Sequence, residues 1–213
     1  MKKKVLLFAG MLSFLFTTSG NLTAQVEQGS IIIDPYYGFP NFGKSFLQAV
    51  EDSNPESTDF KSGGIGPAGL RAEYMVSDRI GLGFDIIYNS LYSSFTDVDT
   101  TGVDGSGNYI TQTYEYEYRM QRLRAQVRIN YHFDISNPQF DSYIGLGAGT
   151  NNRFRTTTEN GVEVDGDLSD FTLIPFSMRF CAGARYYFTD NIGLNMEIGL
   201  GGPVLSGGIS FKF

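Results

Sequence analysis

Ten ionisable residues fall on the polar parity of alternating segments: Asp34, Glu73, Asp85 and Glu197 against Arg71, Arg124, Arg128, Arg179, Arg185 and Lys212. The chain neighbours of each are apolar or aromatic, so each charge is carried on the opposite side of the backbone from its neighbours. A charge withdrawn from water alone is costly, and the planar guanidinium fork matches a carboxylate. The chemistry this set supports is mutual ion pairing inside a narrow polar interior. Six bases face four acids, an excess that leaves room for water or a bound anion. A salt-bridged plug is the first reading, and a narrow polar conduit for small solutes is the second.

Other residue types offer less. His132 is the sole histidine and Cys181 the sole cysteine, so no intramolecular disulfide forms. Cys181 shares its parity with Arg179 and Gly183 and is expected to be a buried, inert thiol. Glu163, Asp165, Asp167 and Asp170 are spaced loosely like a calcium loop, but lack the full series of ligands that a dedicated site requires. A solvated acidic loop is the plainer reading, with weak divalent-ion bridging to lipopolysaccharide as the sharper one. No metal cluster and no phosphate-binding glycine loop occur in the sequence, and no cofactor is implied.

The elements that position the charged set are β-strands. Between Phe171 and Phe213, Ile174, Phe176, Met178, Phe180, Ala182, Ala184 and Tyr186 alternate with Ser177, Arg179, Cys181, Gly183 and Arg185. The same rhythm follows at Ile192–Leu200 and at Leu205–Phe213. A period of two with one apolar face and one polar face predicts strands with lipid outside and a polar lumen inside. Upstream, strands are expected from Ile31 to Phe39, at Ile65–Val76, from Ile80 to about Phe95, at Tyr109–Phe133 and from Ser142 to Arg155, which makes eight. Pro35 within the first calls for a bulge or kink to relieve the ladder. In the Tyr109–Phe133 segment, Tyr114, Tyr116 and Tyr118 break the apolar rule. Either a bulge near Met120–Arg122 shifts the phase, or the upper half stands above the bilayer.

Long polar loops are expected at Gly43–Lys61, Thr96–Asn108 and Thr156–Asp170, alternating with short turns at Ser77–Arg79, Asp134–Asp141 and Thr189–Asn191. Tight turns on the periplasmic side and longer external loops belong to transmembrane barrels, and an even strand number closes the sheet. Outward aromatics form two girdles, one with Tyr74, Tyr131, Phe133, Tyr186, Phe188 and Phe213, the other with Tyr37, Phe39, Tyr88 and Tyr92. The first residues, MKKKVLLFAGMLSFLFTTSGNLTAQ, combine Lys2–Lys4, an apolar run and small residues ending at Ala24. They read as a signal peptide over residues 1–24, leaving residues 25–213 as one barrel domain. Loss of three lysines takes the balance from 16 − 23 = −7 to 13 − 23 = −10, which disfavours nucleic acid as a partner.

On the alternation, the turn asymmetry, the YFTDNIGLNMEIGLG segment and the closing GGISFKF, the chain resembles the small outer-membrane β-barrel proteins of Gram-negative bacteria, the OmpA/OmpX/OmpW-like porin family. The resemblance implies a cell-outer-membrane location, with lipid and lipopolysaccharide as surroundings; because the chain stops at the last strand, the peptidoglycan-binding domain found in some relatives is expected to be absent. It also implies that Phe213, with Phe211 and Ile209, is read by the barrel-assembly machinery. A structural or surface-interaction role follows, its external loop partner unspecified. Some barrels of this size are lipid-modifying enzymes that place a His beside a Ser at the outer leaflet; His132 lies at the opposite rim, so the chain is expected not to be an enzyme. A soluble lipocalin-like carrier would need the two faces reversed.

Overall fold

The computed structural model describes residues 26–41, 60–164 and 175–213. The expected signal peptide, most of the Gly43–Lys61 loop, and Asp165, Asp167 and Asp170 lie outside the described residues. Ten strands occur among those described: β1 (Ile31–Phe39), β2 (Lys61–Gly63), β3 (Ala68–Ser77), β4 (Ile80–Val103), β5 (Tyr109–Phe133), β6 (Phe140–Glu159), β7 (Val162–Glu163), β8 (Phe176–Tyr187), β9 (Ile192–Leu200) and β10 (Leu205–Lys212). Eight of them close a ring of antiparallel neighbours, β1-β3-β4-β5-β6-β8-β9-β10 and back to β1. The short β2 continues the line of β3 against β4, and β7 folds back on β6. The fold is a closed eight-stranded barrel.

Alternation decides which face is which. Along β9, Leu194, Met196 and Ile198 are 53%, 62% and 58% exposed, while Asn195 and Glu197 between them are 4% and 1% exposed. The same inversion runs round the ring, so the outside is apolar and the inside polar. A continuous apolar exterior of this kind would aggregate in water and is stable against hydrocarbon chains. β1, β9 and β10, of 9, 9 and 8 residues, suit one tilted crossing, which takes about 9–11 residues. Replacing Met196, at the middle of β9, by Arg is expected to cost about 2–4 kcal/mol in lipid vesicles. Urea titration of M196R measures it, and unchanged stability would overturn the lipid-facing assignment of this side.

Three strands are much longer: β4, β5 and β6 have 24, 25 and 20 residues. The expected loop at Thr96–Asn108 is therefore corrected. Pairing of β4 with β5 continues to Val103 opposite Tyr109, and the turn is confined to Asp104–Asn108. Beyond the bilayer a strand needs no apolar face, because the ladder of backbone hydrogen bonds to its partner suffices, and the alternation that marks a strand in lipid disappears. At the tip, the Asp104 carboxylate accepts hydrogen bonds from the backbone amides of Ser106 and Asn108, both at 2.8 Å, and from the Asn108 side chain at 3.1 Å. These donors hold its carboxyl below the usual carboxylate range, the Asn108 amide foremost.

The Thr156–Asp170 loop is corrected in part, since Thr156–Glu159 belongs to β6 and the chain reverses at Asn160-Gly161 into β7. Both turn residues have positive φ, 50° and 77°, as a tight Asn-Gly hairpin turn requires. No bulge interrupts β5 near Met120–Arg122; its register with β4 shifts only opposite Thr100/Gly102. Tyr114, Tyr116 and Tyr118 thus keep the inward parity, in the ribbon that rises past the rim. Pro35 also sits in β1 without a register shift: Ile33 pairs Phe211 and Tyr36 pairs Gly208 in one frame.

Candidate functional site: the ion-paired lumen

The lumen has an apolar floor at the short-turn end, where Val26, Ile32, Met75 and Tyr187 pack together. The segment before β1 is tied beneath the wall, with the Gly29 amide donating to the Met75 carbonyl and the Gln28 amide to the Asp78 carboxylate. Ile31 and Phe213 exchange backbone hydrogen bonds of 2.9 Å, which continue the β1–β10 seam past its last paired side chains.

Above the floor, β8 carries Arg185 into the centre. Its Nη2 donates to Asp34 Oδ2 (2.9 Å) and Glu73 Oε2 (2.7 Å), and its Nη1 to Asp141 Oδ2 (2.8 Å). One guanidinium thereby ties four staves, β1, β3, β6 and β8. His132 lies between Asp141, 2.6 Å from Nδ1, and Glu73, 3.0 Å from Nε2. Asn130 adds a donor to Glu73 at 2.7 Å, and the Ser210 hydroxyl one to Asp34 at 2.5 Å.

The second tier centres on Glu197 of β9. Arg179 donates through Nε (2.9 Å) and Nη2 (2.5 Å), Arg128 through Nη2 (2.6 Å) and Tyr143 through its hydroxyl (2.9 Å), while Arg71 Nη1 stands 3.4 Å away. Asp85 accepts from Tyr36 at 2.7 Å and from Arg128 at 3.1 Å. One ring lies against each of two cations: Arg71 is 3.8 Å from the Tyr36 ring centre and Arg185 4.5 Å from that of Tyr143. The wall must be thin where these side chains cross. A Cβ on Gly183 would strike the Tyr143 ring, and one on Gly145 would strike Asn130 and Cys181.

Of the ten residues expected in the network, the structure brings eight together: Asp34, Arg71, Glu73, Asp85, Arg128, Arg179, Arg185 and Glu197. Lys212 sits near the floor with its ammonium 5.3 Å from the Tyr187 ring. Arg124 stands above the second tier, outside these ion pairs. Asp141 was missed, because it closes the turn-like DISNPQFD stretch, yet it shares its parity with Tyr143 and Gly145 and belongs to β6. Tyr36 and Tyr143 were missed for another reason, as aromatics on the polar parity of their strands. With Asp141, five buried carboxylates (−5) face four buried arginines (+4) in the two tiers. Cys181 is buried, receives a hydrogen bond from Arg128 at 3.0 Å and points its thiol at the Gly145 carbonyl, 3.6 Å away.

A cavity of ≈ 500 Å³ opens at the short-turn rim beneath His132, lined in part by Asp78, Arg79, Asp134 and Asp141. Its polar groups are largely spent on each other, since Arg79 and Asp134 pair at 3.0 Å and both nitrogens of His132 face carboxylates. No group of three or more His, Cys, Asp or Glu residues among the described residues is placed to hold a metal ion.

A closed antiparallel barrel, apolar outside and ion-paired inside, defines a transmembrane β-barrel. Among solved structures the chain is similar to a de novo designed transmembrane β-barrel, at 14% identity over 89% of this chain and 99% of that one, with a TM-score of 0.46. It is similar to the outer membrane protein OprG of Pseudomonas aeruginosa, at 12% identity over 91% and 99%, TM-score 0.43. The N-terminal β-barrel domain of OprF of the same organism matches at 13% identity over 88% and 100%, TM-score 0.32. No protein-family model and no curated protein matches the sequence.

Proposed function

We propose that this chain is an exported barrel of the bacterial outer membrane, with a structural or surface-interaction role rather than a transport role. The observation that carries the reading is the lumen itself. Arg185 and Glu197, each about 1% exposed, are clamped by partners from across the ring, which favours a plug over a passage. The short turns then face the periplasm, and the β4–β5–β6 ribbon stands on the outer side, where it meets whatever the cell encounters. Residues 1–24 act as the export signal. Phe213, 69% exposed on the lipid side of the seam, serves the assembly machinery as its recognition residue.

Planar-bilayer recording of the refolded protein tests the plug. The expected result is a silent membrane at ±100 mV from protein whose gel mobility shifts on heating, the behaviour of a folded barrel. Discrete openings that change on replacing Arg179 would overturn the plug and make the lumen a passage for small solutes.

A further inference from the structure

Higher in the barrel than Glu197, the pairing of charges stops. β5 sets Arg122 directly opposite Arg153 of β6, and Arg124 one step lower opposite Asn151. Arg122 and Arg124 share the inward parity of Arg128, and Arg122, Arg124 and Arg153 are only half-buried, so water reaches them. Arg122 donates through Nε to the Asn151 side chain at 2.6 Å. Among the described residues, none of the three forms an ion pair, whereas every arginine of the tiers below does. Arg124 and Arg153 instead repel Arg122, and Arg179 repels Arg124 from beneath.

Like charges set directly opposite on neighbouring strands destabilise a sheet. The local sequence offers no relief: the neighbours on the same face of the two strands, Met120, Gln126, Asn151 and Arg155, include no acid. Among the described residues, these three guanidinium forks leave most of their donors unspent, and such forks bind tetrahedral oxyanions bidentately. The plug below gives the group a closed base, so an anion entering from the outer side would bind and not pass. We propose that Arg122, Arg124 and Arg153 form a binding site for a phosphate or sulfate group in the outer vestibule of the barrel. Its readout is binding, and it stands whether or not the lumen conducts.

The test is isothermal titration of the full chain, folded in a non-ionic detergent free of phosphate, with inorganic pyrophosphate at low salt. Saturable binding is expected, weakened at least ten-fold in the Arg124→Gln/Arg153→Gln double variant and unchanged in Arg79→Gln, which alters an exposed arginine at the other rim. Because the double variant removes repulsion, its unfolding midpoint should equal or exceed that of the parent, which separates a binding role from a structural one. Repeating the titration in bicelles containing a phosphate-bearing lipid separates the sources. Competition with pyrophosphate assigns the site to a lipid headgroup, and undiminished binding assigns it to a free solute. Absence of saturable binding to the parent, or equal affinity in the double variant, would overturn the proposal.

Discussion

Replacing Glu197 by Gln is expected to destabilise the barrel by about 3–5 kcal/mol, since the substitution removes the one charge that Arg71, Arg128 and Arg179 share. The glutamine amide keeps the shape and one acceptor oxygen, but it presents an NH2 group to three cations. Those arginines are 3%, 4% and 2% exposed, so water cannot take the carboxylate's place. Asp85 remains, yet it reaches only Arg128 and Arg71, at 3.1 and 3.7 Å, and leaves Arg179 with the Pro203 carbonyl at 3.4 Å. Guanidinium groups do not deprotonate in the accessible range, so the loss should be nearly the same at pH 5 and pH 9. Urea unfolding in lipid vesicles, followed by heat-modifiable mobility, reads the difference. A change below 1 kcal/mol would mean that water fills the lumen and screens the tier.

Arg185→Met is expected to cost a similar amount, but with a dependence on pH that Glu197→Gln lacks. Here the orphans are acids: Asp34, Glu73 and Asp141 lose their common donor and keep only His132, Asn130 and Ser210. Methionine fills most of the volume and contributes no charge, so the cost is chiefly uncompensated negative charge. Acid protonates those carboxyls and removes the repulsion, so the deficit should be larger at pH 8 than at pH 4. A deficit independent of pH would assign the role of Arg185 to packing against Tyr143 and not to its charge. The two tiers touch through Tyr143, whose hydroxyl serves Glu197 while its ring lies beside Arg185. The double variant should therefore depart from additivity, as contacting sites do.

The closed eight-stranded ring was legible in the sequence because lipid imposes a strict rule: every second side chain between Ile192 and Leu200, or between Leu123 and Phe133, is apolar. The lumen charges were legible for the same reason, since each is a polar residue between apolar neighbours. Where the rule lapses, so did the reading. The β4–β5 ribbon looked like a loop at Thr96–Asn108 because outside the membrane nothing requires one face to be greasy. Asp141 was hidden by its place beside a turn, and Arg124 looked like its neighbour Arg128 although only the latter has acids across from it. Parity tells which way a side chain points. It does not tell what stands opposite, because that depends on the stagger of strands far apart in the chain.

The separation in sequence between ion-pair partners carries its own consequence. Asp34 meets Arg185 across 151 positions and Ser210 across 176, through a seam that joins the first strand to the last. Until that seam forms, Asp34 lacks its partners, although pairs on adjacent strands such as Arg179–Glu197 and Arg71–Asp85 need no seam, and an open sheet would carry unpaired edges into hydrocarbon. Open edges left in hydrocarbon are costly, so closure of the seam is what makes the spanning sheet stable there. Closing the ring thus does two things in one step: it pairs the first strand with the last and gives the Asp34 carboxylate its donors.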